Sequence, residues 1–183
     1  MRISYRNASA DDFKSAVDIL IENMDLSVFT KATDKSILYN FATISLAKDF
    51  HRANYIRIAK CDDKVCAILI GYAGTVSAPP FSFNHDLITK IAKEKLQKSA
   101  EGQMVIAEME KSREAVKDID PNNVTSKCGS ELIFFATDSK YRRNKIGSTL
   151  IKSFEEYLKE FGIKKYYLYT HSQCSYQYYE NNG

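Results

Sequence analysis

Glu131-Leu132-Ile133-Phe134-Phe135-Ala136-Thr137-Asp138-Ser139-Lys140-Tyr141-Arg142-Arg143-Asn144-Lys145-Ile146-Gly147-Ser148 changes character twice in a short span. Glu131 to Thr137 is aromatic and β-branched, which predicts a strand. Asp138 to Lys145 is polar and basic. From Ile146 onward, Leu150, Ile151, Phe154, Leu158 and Phe161 recur at helical spacing, and Gly162 stands where a C-terminal glycine cap belongs. Further on, Lys165 to Thr170 predicts a strand and Ser172 to Asn182 a short final helix. The order strand, helix, strand, helix favours parallel neighbours.

Upstream, Arg2 to Arg6 alternates as a short strand, and Ser9-Ala10-Asp11-Asp12 supplies a helix start with Ser9 as cap. Phe13, Val17, Leu20, Ile21 and Met24 then mark one amphipathic helix, and Ile37, Leu38, Phe41 and Ile44 a second. Tyr55 to Ala59 and Val65 to Ile70 flank Asp62-Asp63-Lys64, which reads as a β-hairpin whose second strand is buried on both faces. Residues 74 to 130 are too long for a bare loop and read as an insertion with its own helices, two of them, broken near Asp120-Pro121-Asn122.

The 183 residues suit a single domain, and 44% hydrophobic with 27% charged residues excludes a disordered or fibrous chain. The net charge of +3 argues against nucleic acid as a partner. No apolar stretch approaches the roughly 18 residues of a membrane span, and no secretory signal opens the chain, so a cytoplasmic setting is expected. Cys61, Cys66, Cys128 and Cys174, with His51, His85 and His171, match no common zinc spacing, so no metal is expected and the thiols read as reduced and mostly packed.

The turn from Tyr141 to Ser148 joins a buried strand to a long helix, directing backbone N–H groups outward beside cationic side chains. Taken alone, it is either a pyrophosphate cradle or a solvated basic loop. It resembles the cofactor loop of the GNAT acyltransferase superfamily: Arg or Gln, two residues, Gly, one residue, then Gly or Ala. Arg142 and Gly147 match the ends of that pattern, and Lys145 stands at the usual first glycine. Ser175 to Gly183 is similar to the family's closing Phe/Tyr-Tyr-Glu-x-x-Gly segment, with Tyr179 on its tyrosine. Glu131 stands where relatives of the histone-acetylating branch carry a basic glutamate, and Arg2-Ile3 with Ser9 to Asp12 is similar to the family's first strand and helix cap.

The resemblance spans residues 1–183 except the insertion. It implies an α/β GNAT-like fold: a mixed, mostly antiparallel sheet flanked by helices and splayed between the parallel segments 131–137 and 165–170. It further implies acetyl transfer from acetyl-CoA, as co-substrate, to a small-molecule or peptide amine. Phe135, Ala136 and Thr137 would then bind the pantetheine arm, and Arg142, Arg143, Asn144, Lys145, Ile146, Gly147 and Ser148 the pyrophosphate. Ser172, where many relatives have Asn, would add a cofactor contact. Tyr179 would return a proton to the sulfur, and Glu131, with His171 in reserve or a water, would take one from the amine. The family pattern continues past Gly183 into a closing hairpin, so the sheet is expected either to lack its last strands or to borrow them in a homodimer. A CoA-binding module without catalysis is the rival expectation.

Overall fold

The computed structural model describes residues 1–74, 81–117 and 128–169. Four strands, β1 (Ile3–Asn7), β2 (Tyr55–Cys61), β3 (Lys64–Tyr72) and β4 (Glu131–Thr137), form one sheet in the order β1-β2-β3-β4 with every neighbour antiparallel. α1 (Phe13–Asn23) and α2 (Lys35–Arg52) lie on one face, joined there by α3 (His85–Leu96) and α4 (Ala100–Lys117). α5 (Ile146–Glu160) covers the other face. Among the described residues no helix is long and apolar enough to cross a membrane.

Alternation along the strands builds these two layers. Ile56, Ile58, Ile68, Ile70 and Phe134 point to the α1–α2 side, whereas Ala67, Leu69 and Leu132 point to α5. β3 is therefore buried on both faces, as its unbroken apolar run implies. Asp62 and Asp63, at φ 46° and 68°, make the tight turn whose twist matches the strands it joins. Cys61 and Cys66 are buried free thiols of this hairpin; burial pushes the Cys66 thiol up to about 11.

The first helix starts later than its cap suggests. Ser9 caps a 3-10 turn, Ala10–Asp12, and α1 follows from Phe13. The Ser9 N–H donates to Asp12 Oδ2 at 2.8 Å, and Arg6 of β1 grips the same buried carboxylate through both terminal nitrogens, each at 2.8 Å. The stretch expected to be an insertion carries α3 and α4; its expected break at Asp120 to Asn122 lies outside the described residues. Glu108 of α4 accepts from Thr30 Oγ1 at 2.5 Å, and Glu101 accepts from the Thr33 and Asp34 N–H groups at 2.5 and 3.2 Å. α4 thus fastens the chain leading into α2, whose cap Asp34 accepts from Ser36 and Ile37.

Candidate active site

β4 occupies the residues its composition marks, but its register with β3 shifts. Ile70 faces Phe134 while Gly71 faces Leu132, leaving Ile133 as the extra residue of a β-bulge. The bulge changes which way the backbone points. Before it, the Leu132 N–H donates outward to the Tyr167 carbonyl at 2.9 Å, and the Tyr167 N–H donates to Ser130 at 3.0 Å. These bonds make Tyr167 a parallel bridge partner of Glu131.

After the bulge, the Asp138 N–H donates to Cys66 on the β3 side. Alternation then aims the backbone groups of Phe135 and Thr137 away from β3, where no described strand pairs with them. The expected second strand is thus reduced, within the described residues, to the single bridge at Tyr167; Thr170 lies outside them. Thr137 Oγ1 is buried on this segment without a described partner.

The open edge runs into the basic turn. Arg142 folds back so that its Nε donates to the Thr137 carbonyl at 3.2 Å, and Asn144 Nδ2 donates to the carbonyls of Tyr141 and Arg142 at 3.0 and 3.3 Å. Arg142, Arg143, Asn144, Lys145 and Ser148 are exposed, whereas Ile146 is buried under α5. Lys145 holds the cap position at φ 60°, the left-handed region that glycine favours, and no side chain caps the helix there. A lysine has therefore kept the turn's shape while adding a charge beside outward-pointing first-turn N–H groups. A Cβ on Gly147 would come within 2.8 Å of Phe135 Cζ, so this glycine lets the helix start approach the strand.

Glu131, at the opposite end of β4, is not a solvated edge residue. It is 5% exposed, and Arg52 at the end of α2 binds both its oxygens, Nη1 to Oε2 at 2.5 Å and Nη2 to Oε1 at 3.0 Å. Tyr167 Oη also donates to Oε2, at 3.1 Å. A carboxylate has about four acceptor positions, so these bonds leave one, on Oε1. Burial works against the Arg52 charge, but Glu131 and then Asp49 outweigh it and raise its pKa. Burial, reinforced by the Glu131 charge, lifts the Tyr167 phenol far above the usual tyrosine range and keeps it a donor. Asp49, 3.4 Å from Arg52 Nε, is pushed by burial up to about 6.

The structure brings Phe135, Ala136, Thr137 and the turn 142–148 together at one end of the open edge and places Glu131 at the other, about 20 Å away along the strand. Ser172, His171 and Tyr179 lie outside the described residues. Sequence reasoning missed Arg52 and Asp49. A basic residue in a helix's last turn reads as ordinary dipole compensation, and no local pattern points from it to Glu131.

Residues 21–183 match the model of the Acetyltransferase (GNAT) family. In structure, the chain is similar to the PaiA N-acetyltransferase of Thermoplasma acidophilum, solved in complex with coenzyme A, with a TM-score of 0.58 and 16% identity over 100% of this chain and 89% of that one. It is also similar to a Corynebacterium glutamicum protein described as histone acetyltransferase HPA2 and related acetyltransferase (TM-score 0.56, 17% identity, 99% and 83% covered). A third likeness is to the ribosomal-protein-S18-alanine N-acetyltransferase of Escherichia coli (TM-score 0.53, 13% identity, 100% and 77% covered). No curated protein matches the chain in sequence. At such identities the structural likenesses establish the fold, and the family match, covering most of the chain, establishes membership. The chain belongs to the GNAT family of acetyl-CoA-dependent acetyltransferases.

Proposed function

We propose that the protein moves an acetyl group from acetyl-CoA directly to an amine carried by a small molecule or a peptide. The observation that carries this reading is the outer edge of β4, bridged to Tyr167 at its head, unpaired by any described strand after the bulge, and ending at the uncapped start of α5. Acetyl-CoA, when bound, supplies a thioester whose carbonyl is open to attack and whose thiol can leave.

The residues present fit such a molecule. An amide-bearing arm can pair with the outward backbone of Phe135 and Thr137 as a strand would, with Ala136 between them. A pyrophosphate suits the α5 N-terminus, where Ile146, Gly147 and Ser148 form the first turn and Arg142, Arg143, Asn144 and Lys145 supply charge and donors. Ser172 is assigned a further contact with the same molecule.

In this reading Glu131 takes the amine proton through a chain of waters that begins at its remaining Oε1 position, and Arg52 and Tyr167 keep the carboxylate oriented. A backbone N–H near Phe135 to Thr137 polarises the carbonyl. Tyr179 gives its hydroxyl proton to the leaving sulfur as the new C–N bond replaces the C–S bond, and recovers a proton from solvent. His171 is the reserve base.

The test is thiol release from acetyl-CoA across a panel of amines, run with the unaltered chain and with Tyr179→Phe. Release that needs both reactants and falls about 100-fold or more in the variant is expected. Full turnover by Tyr179→Phe with unchanged pH dependence would remove the acid assignment. Acetyl-CoA binding without release from any amine would favour a CoA-binding module instead.

A further inference from the structure

We infer that Asn23, the last residue of α1, is a positioning residue for the pyrophosphate cradle: its carboxamide fixes the 3-10 turn Ser139–Tyr141, from which Arg142 to Lys145 continue. The inference rests on the acetyl-CoA reading above and adds to it a residue from a distant helix that touches no part of the ligand.

The Ser139 N–H donates to Asn23 Oδ1 at 2.9 Å across 116 positions of chain, and Asn23 Nδ2 donates to the Ile19 carbonyl of its own helix, also at 2.9 Å. Together these bonds fix which way the carboxamide points, because a carbonyl only accepts and a backbone N–H only donates. A carboxylate at this position would set an oxygen against the Ile19 carbonyl, and an apolar side chain would satisfy neither group. An asparagine that served only the end of α1 would need its amide nitrogen alone. Here its oxygen is spent on another element.

Ser139 opens the 3-10 turn, so its N–H has no acceptor within that turn. Asp138, 3% exposed, holds the remainder: its N–H donates to the Cys66 carbonyl at 2.9 Å, its Oδ1 accepts from the Lys140 N–H at 3.0 Å, and its carbonyl accepts from the Tyr141 N–H at 2.9 Å. Asp138 thereby fastens the turn to β3, Tyr141 packs it onto the α5 layer, and Asn23 ties it to the α1 layer. The cradle then takes its bearings from the turn and from the end of β4, through the bonds of Arg142 Nε to the Thr137 carbonyl and of Asn144 Nδ2 to the Tyr141 and Arg142 carbonyls. A cradle held in place before the anion arrives binds it more tightly, since less ordering is left to the binding step.

The experiment measures the affinity of the full chain for acetyl-CoA, by calorimetric titration, and for S-acetylpantetheine, by displacement of acetyl-CoA. S-acetylpantetheine keeps the amide arm and the thioester but ends before the pyrophosphate. Two variants remove the same bond from opposite sides. Asn23→Ala deletes the acceptor. Ser139→Pro deletes the donor, and it suits its place: proline fits the first position of a helical turn, and Asp138 before it, at φ −51° and ψ 128°, already has the extended backbone that proline requires. Each variant is expected to weaken acetyl-CoA binding about three- to tenfold and to leave S-acetylpantetheine unchanged, with the double variant losing no more than the larger single loss. Should one variant fail to fold, the other decides.

An equal loss for both ligands would overturn the inference, because a merely structural role moves them together. Undiminished acetyl-CoA affinity in a folded variant would do the same, as would losses that add in the double variant. If the unaltered chain bound S-acetylpantetheine as tightly as acetyl-CoA, the cradle reading would fall and this inference with it. If the unaltered chain prefers acetyl-CoA and the variants keep that preference in full, the inference alone falls.

Discussion

Arg52, the last residue of α2, closes both terminal nitrogens on the carboxylate of Glu131, the first residue of β4 and 79 positions further along the chain. Because Glu131 also receives the Tyr167 hydroxyl, one carboxylate ties a helix to the bridge between β4 and Tyr167. Arg52→Ala would leave the buried Glu131 charge uncompensated and should cost about 2–3 kcal/mol, read from urea denaturation. Arg52→Lys should recover only part of this, since an ammonium cannot reproduce the two-point contact. Equal stability of Arg52→Ala and the unaltered chain would show that the clamp holds nothing.

Asp49 gives stability a pH dependence with a definite sign. Burial outweighs the pull of Arg52 and pushes this carboxyl up to about 6, from about 3.9 in an unfolded chain. Between those values the folded protein retains a proton that the unfolded chain has lost, so this group's contribution to stability falls as pH rises from about 4 to about 6. Asp49→Asn abolishes the effect. Its stability relative to the unaltered chain should climb across that window by about 3 kcal/mol and then level off. A difference that stays flat with pH would contradict the assignment.

Lys145 separates backbone strain from ligand charge. At φ 60° it sits where a non-glycine residue costs roughly 1 kcal/mol or more, while its side chain is exposed. Lys145→Gly should therefore leave thermal stability unchanged or slightly raised, yet weaken acetyl-CoA binding a few-fold and reduce its salt dependence. Weakened folding with undiminished binding would reverse both halves of this account.

Helix α4 holds the segment ahead of α2 through Glu101 and Glu108. Replacing both with Gln should speed amide exchange at Thr33 and Asp34 while lowering global stability by only about 1–2 kcal/mol. Unchanged exchange at those amides would mean that α4 does not restrain the segment.

Local signals carried much of this architecture in the sequence. The aromatic and β-branched run 131–137 is β4 with those bounds, the 3.6-residue stripe from Ile146 is α5, and Gly162, at φ 70°, closes that helix with its N–H on Lys159. What stayed hidden depends on residues far apart in the chain. The bulge at Ile133 is a property of register with β3, and nothing in the run itself says where the extra residue falls. Glu131 reads from sequence as a strand opening, and only the packing of α2 makes it a buried, clamped carboxylate.

We assign the open edge of β4 and the start of α5 to acetyl-CoA. The most direct test of this assignment is calorimetric titration of the folded chain with acetyl-CoA beside desulfo-CoA and ATP, repeated with Arg142→Ala. The account predicts micromolar binding of acetyl-CoA, much weaker binding of ATP, and about a tenfold loss in the variant. Absence of acetyl-CoA binding by folded protein, or affinity for ATP equal to that for acetyl-CoA, would contradict it.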